Sequence, residues 1–338
     1  MNTLHVGKLI SYLISCRTTK DFAAVQQKSK FLLQGFTAIN DDEISSFIHT
    51  IFDENISKEI YNLENLSVLS NNFLPWINSG SSYVNGLDKF DADISAGTTQ
   101  SFDSFYYRHR DKRFRCFVGE YFYHVKTWES NSSHWSFIDA EDPLELGDAL
   151  VLSLPFCDTG SIIDNYEDIL QKCSTLNIPV LIDCCYYVLT GNFKLNLSYP
   201  CIDTVVFGLS KSFLVSHLRI GVRFTSTKIF DGQKLHHSIN YNNTLSAYIG
   251  NKIIQKFPPD YLFNKYRGKQ IDFCNFTNTV VSDSVIYAIG DSHWDMFSRR
   301  NLLNVYKLAL DPTLFVNRIL LSPVFENWDL YDVIKNET

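Results

Sequence analysis

The chain has 338 residues, 45% of them hydrophobic, which is enough for a large core and more than one domain. Its formal net charge of −7 comes with no long basic run and no long uninterrupted apolar run, which argues against a nucleic-acid partner and against a membrane span. Eight cysteines without a Cys-x-x-Cys motif read as free thiols in a reducing compartment, and the polar N-terminus MNTLHVGKLISYLISCRTTK does not read as a signal peptide, so the expectation is a soluble cytoplasmic protein.

The first 70 or so residues read as helical and mixed. DDEISSFIHTIFDENIS opens on acids and has helical apolar spacing. Residues 71–93, NNFLPWINSGSSYVNGLDKFDAD, are rich in turn formers and read as loop. A regular alternation follows. TTQSFDSFYYRHRDK reads as a helix, RFRCFVGEY as a strand, DALVLSLPF as an apolar strand, and NYEDILQKCSTLN as an amphipathic helix. IPVLIDCCYY, IDTVVFGLS and RIGVRFTS read as three further strands. Near-continuous apolar strands alternating with helices predict an α/β fold around a parallel sheet covered on both faces. NTLSAYIGNKIIQKF and PDYLFNKYRGKQIDFCNFTNTV read as helices. A smaller α+β piece then closes the chain, with SVIYAIG and VNRILLSP as strands around a helix in SRRNLLNVYKLAL.

In sheets of this kind ligands bind outside the carboxyl ends of the strands, so the polar residues found there are the candidates. Asp183 ends one apolar run, with Tyr186 three residues on. Ser210 and Lys211 end the next, and Arg219 lies eight residues beyond the lysine. Gly97 and Thr98 open a helix, whose N-terminus attracts anions. Tyr121 and His124 follow the strand RFRCFVG. Taken singly, these residues read as caps, solvated loops or structural side chains. Together they supply an anion cradle, an aromatic ring, a carboxylate, a phenol, an amine and a guanidinium. That set suits a flat, phosphorylated heteroaromatic aldehyde. No metal site is read from the sequence.

In this order the residues resemble the fold-type I pyridoxal 5′-phosphate (PLP) enzymes, specifically the aspartate-aminotransferase-like class I/II aminotransferases. GLSKSFLVSHLRIG is similar to the family's lysine motif with its following Arg-x-Gly, DCCY to its Asp-x-x-Tyr, GTTQ to its phosphate turn, and GEYFYH to its aromatic run. The resemblance implies a PLP-dependent transferase fold. Residues 1–75 would be an N-terminal helical segment belonging to the small domain, 76–275 a large PLP-binding α/β domain with a mostly parallel sheet, and 276–338 a C-terminal small α+β domain. It implies a Schiff base on Lys211, Asp183 on the pyridine nitrogen with His124 behind it, Tyr121 stacked on the ring, and Tyr186 on the 3′-oxygen. Gly97, Thr98 and Arg219 would hold the phosphate, and Ser210 would bind the cofactor beside Lys211. Arg318 would take a substrate α-carboxylate. It also implies a homodimer. Asn242, Asn243 and Ser246 are weak candidates to cross between subunits and otherwise read as a helix cap.

Cys157 stands where the family has the asparagine beside the 3′-oxygen, Asp158 where it has a proline, and Gly208 where it has a serine. The leading expectation is an aminotransferase acting on an amino acid and a 2-oxo acid. The alternatives are a PLP-dependent lyase, decarboxylase or cyclase, and a non-catalytic binding module of the same fold.

Overall fold

The structure, a computed structural model, describes residues 38–53, 56–292, 294 and 316–336. Helix α1 (Asp42–Asp53) starts at Asp41, whose Oδ1 accepts from the N–H groups of Glu43 at 3.1 Å and Ile44 at 3.0 Å. After a 3-10 turn over Ile56–Tyr61 comes α2 (Glu64–Ile77). This helix overrides the loop expected from residue 71. Leu66, Leu69, Phe73, Trp76 and Ile77 recur at helical spacing and are buried, and that stripe carries the helix past Pro75 in its last turn. The rest of the supposed loop contains β1 (Tyr83–Asn85) and most of β2 (Phe90–Ala96).

The alternating region then runs α3 (Thr98–Arg108), β3 (Arg113–Cys116), α4 (Phe122–Ser130), β4 (Trp135–Phe137), β5 (Asp148–Ser153), α5 (Tyr166–Thr175) and β6 (Val180–Asp183). It continues with β7 (Lys194–Asn196), β8 (Ile202–Gly208) and β9 (Ile220–Ser226). Three helices follow, α6 (Gly232–Ser238), α7 (Thr244–Lys256) and α8 (Tyr261–Thr277). The chain closes with β10 (Val280–Val281), β11 (Tyr287–Gly290), β12 (Asn317–Leu320), α9 (Ser322–Glu326) and α10 (Trp328–Asn336). The helix expected in SRRNLLNVYKLAL lies outside the described residues.

The seven-stranded sheet has the order β2-β9-β8-β6-β5-β3-β4. It is mostly parallel, and β9 alone runs against its neighbours on both sides. The reversal follows from the connector. Between Gly208 and Ile220 there is only a 3-10 turn at Ser216–Leu218, and a parallel return would need a full crossover. Strands β5 and β6 are buried throughout, which is why they read as unbroken apolar runs. One core packs Phe102, Phe105, Phe114 and Trp128, and the other Phe73, Phe207, Phe213 and Leu152. Strands β10, β11 and β12 form a separate antiparallel sheet.

Arg115 on β3 fastens one edge. Its Nη1 donates to Asp148 at 2.7 Å, and its Nη2 donates to the carbonyls of Phe137 at 3.0 Å and Asp142 at 2.5 Å. Among the described residues no helix is long and apolar enough to cross a membrane.

Candidate active site

The carboxyl ends of β5, β6 and β8 open on one cavity. Its walls are Thr98, Thr99, Tyr121, Ser153, Pro155, Cys157, Asp183, Cys185, Tyr186, Gly208, Ser210, Lys211 and Arg219. Nine of the residues singled out in the sequence meet there from five separate segments. Gly97, His124 and Arg318 are not part of this wall.

Gly97 caps α3 at φ 72°, ψ 178°, backbone that side chains other than glycine rarely adopt. A Cβ there would lie 2.3 Å from Arg219 Nη2, so the guanidinium crosses the bare Cα. Arg219 Nη1 also donates to Ser210 Oγ at 3.4 Å and to the Ser216 carbonyl at 3.2 Å. First-turn amides of a helix have no intrahelical carbonyl to bond, so α3, Arg219 and the hydroxyls of Thr98 and Ser210 compose an anion cradle. Gly208 has a packing reason. A Cβ there would meet the Thr98 methyl at 3.2 Å, so the serine of the resembled motif would crowd the first turn of α3.

Asp183 is buried at the end of β6, and its Oδ1 accepts from the Cys185 N–H at 3.0 Å. Burial pushes its carboxyl up to about 6, against the Cys185 bonds and the charge of Lys211. Cys185 Sγ donates to Thr98 Oγ1 at 3.3 Å, which joins the carboxylate end of the cavity to the anion end. Lys211 Nζ lies 5.7 Å from the centre of the Tyr121 ring. Burial lowers its pKa, with the nearby Arg318 charge acting in the same direction and Cys185, Cys157 and Asp183 opposing, which favours the neutral amine.

Tyr186 accepts from the Tyr287 hydroxyl at 2.9 Å, and burial holds its own phenol well above the ordinary value. Arg318 Nη1 donates to the Cys157 carbonyl, and its guanidinium covers the Tyr287 ring at 4.3 Å. Asp158 accepts from the Val316 N–H at 3.0 Å, a bond that the proline of the resembled motif leaves the chain without.

His124 takes a different place from the one the resemblance implies. Its Nδ1 is 2.5 Å from the Tyr106 hydroxyl, its ring stacks on Trp128, and its Nε2 is buried without a hydrogen-bond partner. No hydrogen bond joins it to Asp183. Burial lowers its pKa to about 3, so the ring is neutral. Asn243 caps α7, accepting from the Ser246 N–H at 2.9 Å, and Ser246 Oγ donates to the Leu218 carbonyl at 2.7 Å. Thr99 belongs to the phosphate-turn run GTTQ, whereas Ser153, Pro155, Cys185, Tyr287 and Glu120 are not singled out by the sequence. Only Ser153, a polar residue ending an apolar run, carried a readable signal.

No family model matches the chain, and no curated protein sequence matches it. Solved structures do. The histidinol-phosphate aminotransferase from Clostridium acetobutylicum is 14% identical, with a TM-score of 0.60 over 90% of this chain and 98% of that one. A Thermus thermophilus aspartate aminotransferase mutant is 11% identical, with a TM-score of 0.62 over 94% and 96%. The PLP-bound C-S lyase from Staphylococcus hominis is 12% identical, with a TM-score of 0.61 over 96% of each chain. The chain therefore has the α/β fold of PLP-dependent, aspartate-aminotransferase-like enzymes.

Proposed function

We propose that the chain is a PLP-dependent aminotransferase that passes an amino group from an amino acid to a 2-oxo acid. One observation carries the reading: Lys211, Asp183, Tyr121, Tyr186, Thr98 and Arg219 share one cavity at the carboxyl ends of the strands. The donor set fits the cofactor. Bound there, PLP would supply an electron sink for the substrate carbanion. Thr98, Ser210 and Arg219 would hold its phosphate, with Arg219 binding bidentately. Tyr121 would cover one ring face, Tyr186 would bond the 3′-oxygen, and Asp183 would keep a proton on the pyridine nitrogen. Lys211 is the tethering amine. Its lowered pKa suits it to take a proton from the substrate and return it.

A lyase, decarboxylase or cyclase is favoured by one feature. Arg318 is absent from the cavity wall, and its guanidinium is engaged by the Cys157 carbonyl and the Tyr287 ring. A transaminase needs an α-carboxylate ligand in both half-reactions.

A homodimer belongs to the same proposal. A second cleft runs up to Arg219, and Ile60, Leu63 and Tyr241 in its wall are 48%, 51% and 74% exposed.

The test is a visible spectrum of the PLP-loaded protein under an amino-acid panel. Transamination predicts a band that one amino acid bleaches and a 2-oxo acid restores, and that Lys211→Ala lacks. Release of ammonia, pyruvate or carbon dioxide without an oxo-acid requirement would replace this reading with the second.

A further inference from the structure

Glu120 has no part in the roles above. It lies in the turn before α4, is 3% exposed, and both its carboxyl oxygens contact Ser153. Oε1 accepts from the Ser153 N–H at 2.8 Å, and Oε2 shares a hydrogen bond with Ser153 Oγ. Ser153 ends β5, pairs in register with Asp183 on β6, and lines the cavity. Residues directly opposite on neighbouring strands project to the same face, so the Ser153 and Asp183 side chains leave the sheet together into the same cavity wall.

Burial pushes Glu120 up to about 7, and the Asp183 charge adds to the rise against the bonds from Ser153 and the Tyr121 backbone. Two further titratable groups lie near it, Cys116 on β3, whose thiol feels the Glu120 charge, and Asp158, whose side chain lies against Gly119 next in the chain.

A hydroxyl has one hydrogen to give. When Glu120 is ionised, Ser153 Oγ must donate to it and turns only lone pairs to its other neighbours. When Glu120 is neutral, its own O–H donates to Ser153 Oγ, and the serine hydrogen is released towards the cavity. One proton therefore reverses the hydrogen bond.

We propose that Glu120 and Ser153 are a positioning pair that sets the charge state of Asp183, and so the basicity of the cofactor ring that Asp183 would face. The inference rests on the PLP reading. With Glu120 neutral, the Ser153 hydroxyl donates towards Asp183 and favours its carboxylate. Loss of the Glu120 proton to solvent withdraws that donor and adds a like charge nearby. Both changes make Asp183 and the ring nitrogen hold their shared proton more tightly.

Two measurements test the pair. In the cofactor-free protein, pH-difference infrared spectroscopy should find a carboxylic-acid carbonyl band that bleaches with a midpoint near 7, and Glu120→Gln should lack it. In the PLP-loaded protein, the visible band should shift with the same midpoint. Glu120→Gln should flatten that shift with PLP still bound, Ser153→Ala should displace its midpoint, and Glu120→Asp should restore an inflection. An infrared band or a visible inflection that survives unchanged in Glu120→Gln overturns the inference. If the wild type binds no PLP, the cofactor reading fails, and the infrared band still decides whether Glu120 is the titrating acid.

Discussion

Replacing Gly97 with alanine separates two duties of one residue. The first is conformational. The backbone at φ 72°, ψ 178° costs a non-glycine residue about 1–3 kcal/mol, and this destabilises the folded protein with or without cofactor. The second concerns the proposed phosphate grip. The new Cβ would fall 2.3 Å from Arg219 Nη2 and 2.7 Å from Cζ, so the guanidinium must leave its place over the helix start. A charge-assisted hydrogen bond is worth about 1.5–3 kcal/mol, and Arg219 is exposed, so the low end applies: about tenfold in affinity. The assay compares apo-protein melting with the ratio of affinities for pyridoxine 5′-phosphate and pyridoxine. Gly97→Ala should lower the melting temperature and cut the phosphate preference about tenfold. Arg219→Lys should cut the preference with little change in melting. The double variant should lose little more preference than either single one. If Gly97→Ala keeps the full preference while Arg219→Lys loses it, the guanidinium does not grip phosphate from above Gly97. If both keep it, Arg219 is not a phosphate ligand.

Three further outcomes follow from the same geometry. Asp148 is the buried partner of Arg115, with side chains 1% and 0% exposed, so Asp148→Asn should cost about 3–5 kcal/mol in denaturant unfolding; a loss under 1 kcal/mol would mean the clamp relaxes freely. His124 is held near 3 against an ordinary 6.5, so below 6.5 the unfolded chain takes up a proton that the folded one refuses. The stability that His124 contributes is intact above pH 6.5 and drains as pH falls towards 3, by up to about 5 kcal/mol; His124→Gln should flatten that limb, and an unchanged limb would refute the assignment. Tyr241→Asp should shift the protein towards monomer in sedimentation; a wild type that is already monomeric removes the proposed interface.

The strand ends were legible in the sequence because β5, β6 and β8 are buried strands whose apolar runs stop abruptly. That made Asp183 and Ser210-Lys211 visible without any partner in view. Alternation does not encode strand direction, so the reversal of β9 could be read only from its short connector. In α2 the turn formers Asn71, Asn72 and Pro75 masked a helical stripe that only burial reveals. Gly208 reads in sequence as a lost ligand, and in space as room for the Thr98 methyl. Glu120 was passed over because a single acid in a turn has no periodicity, and its meaning comes from Ser153, 33 residues away. Arg318 stood out as a charge on an apolar strand, while its partners at Cys157 and Tyr287 required the fold.

The loop after β5 is also a mechanical seam. Asp158 bonds Val316, Cys157 receives Arg318, Thr159 accepts from Ser282 Oγ at 2.7 Å, and Gly160 accepts from the Ser284 N–H at 2.9 Å. Tyr186 and Tyr287 add a fifth link. The small antiparallel sheet is thus riveted to the segment that carries Cys157 into the cavity wall. A hinge that swung this sheet as a lid would have to shear every one of these links. Any displacement of the small sheet would therefore pull on Cys157 through the Arg318 link and on its neighbour Asp158 through Val316.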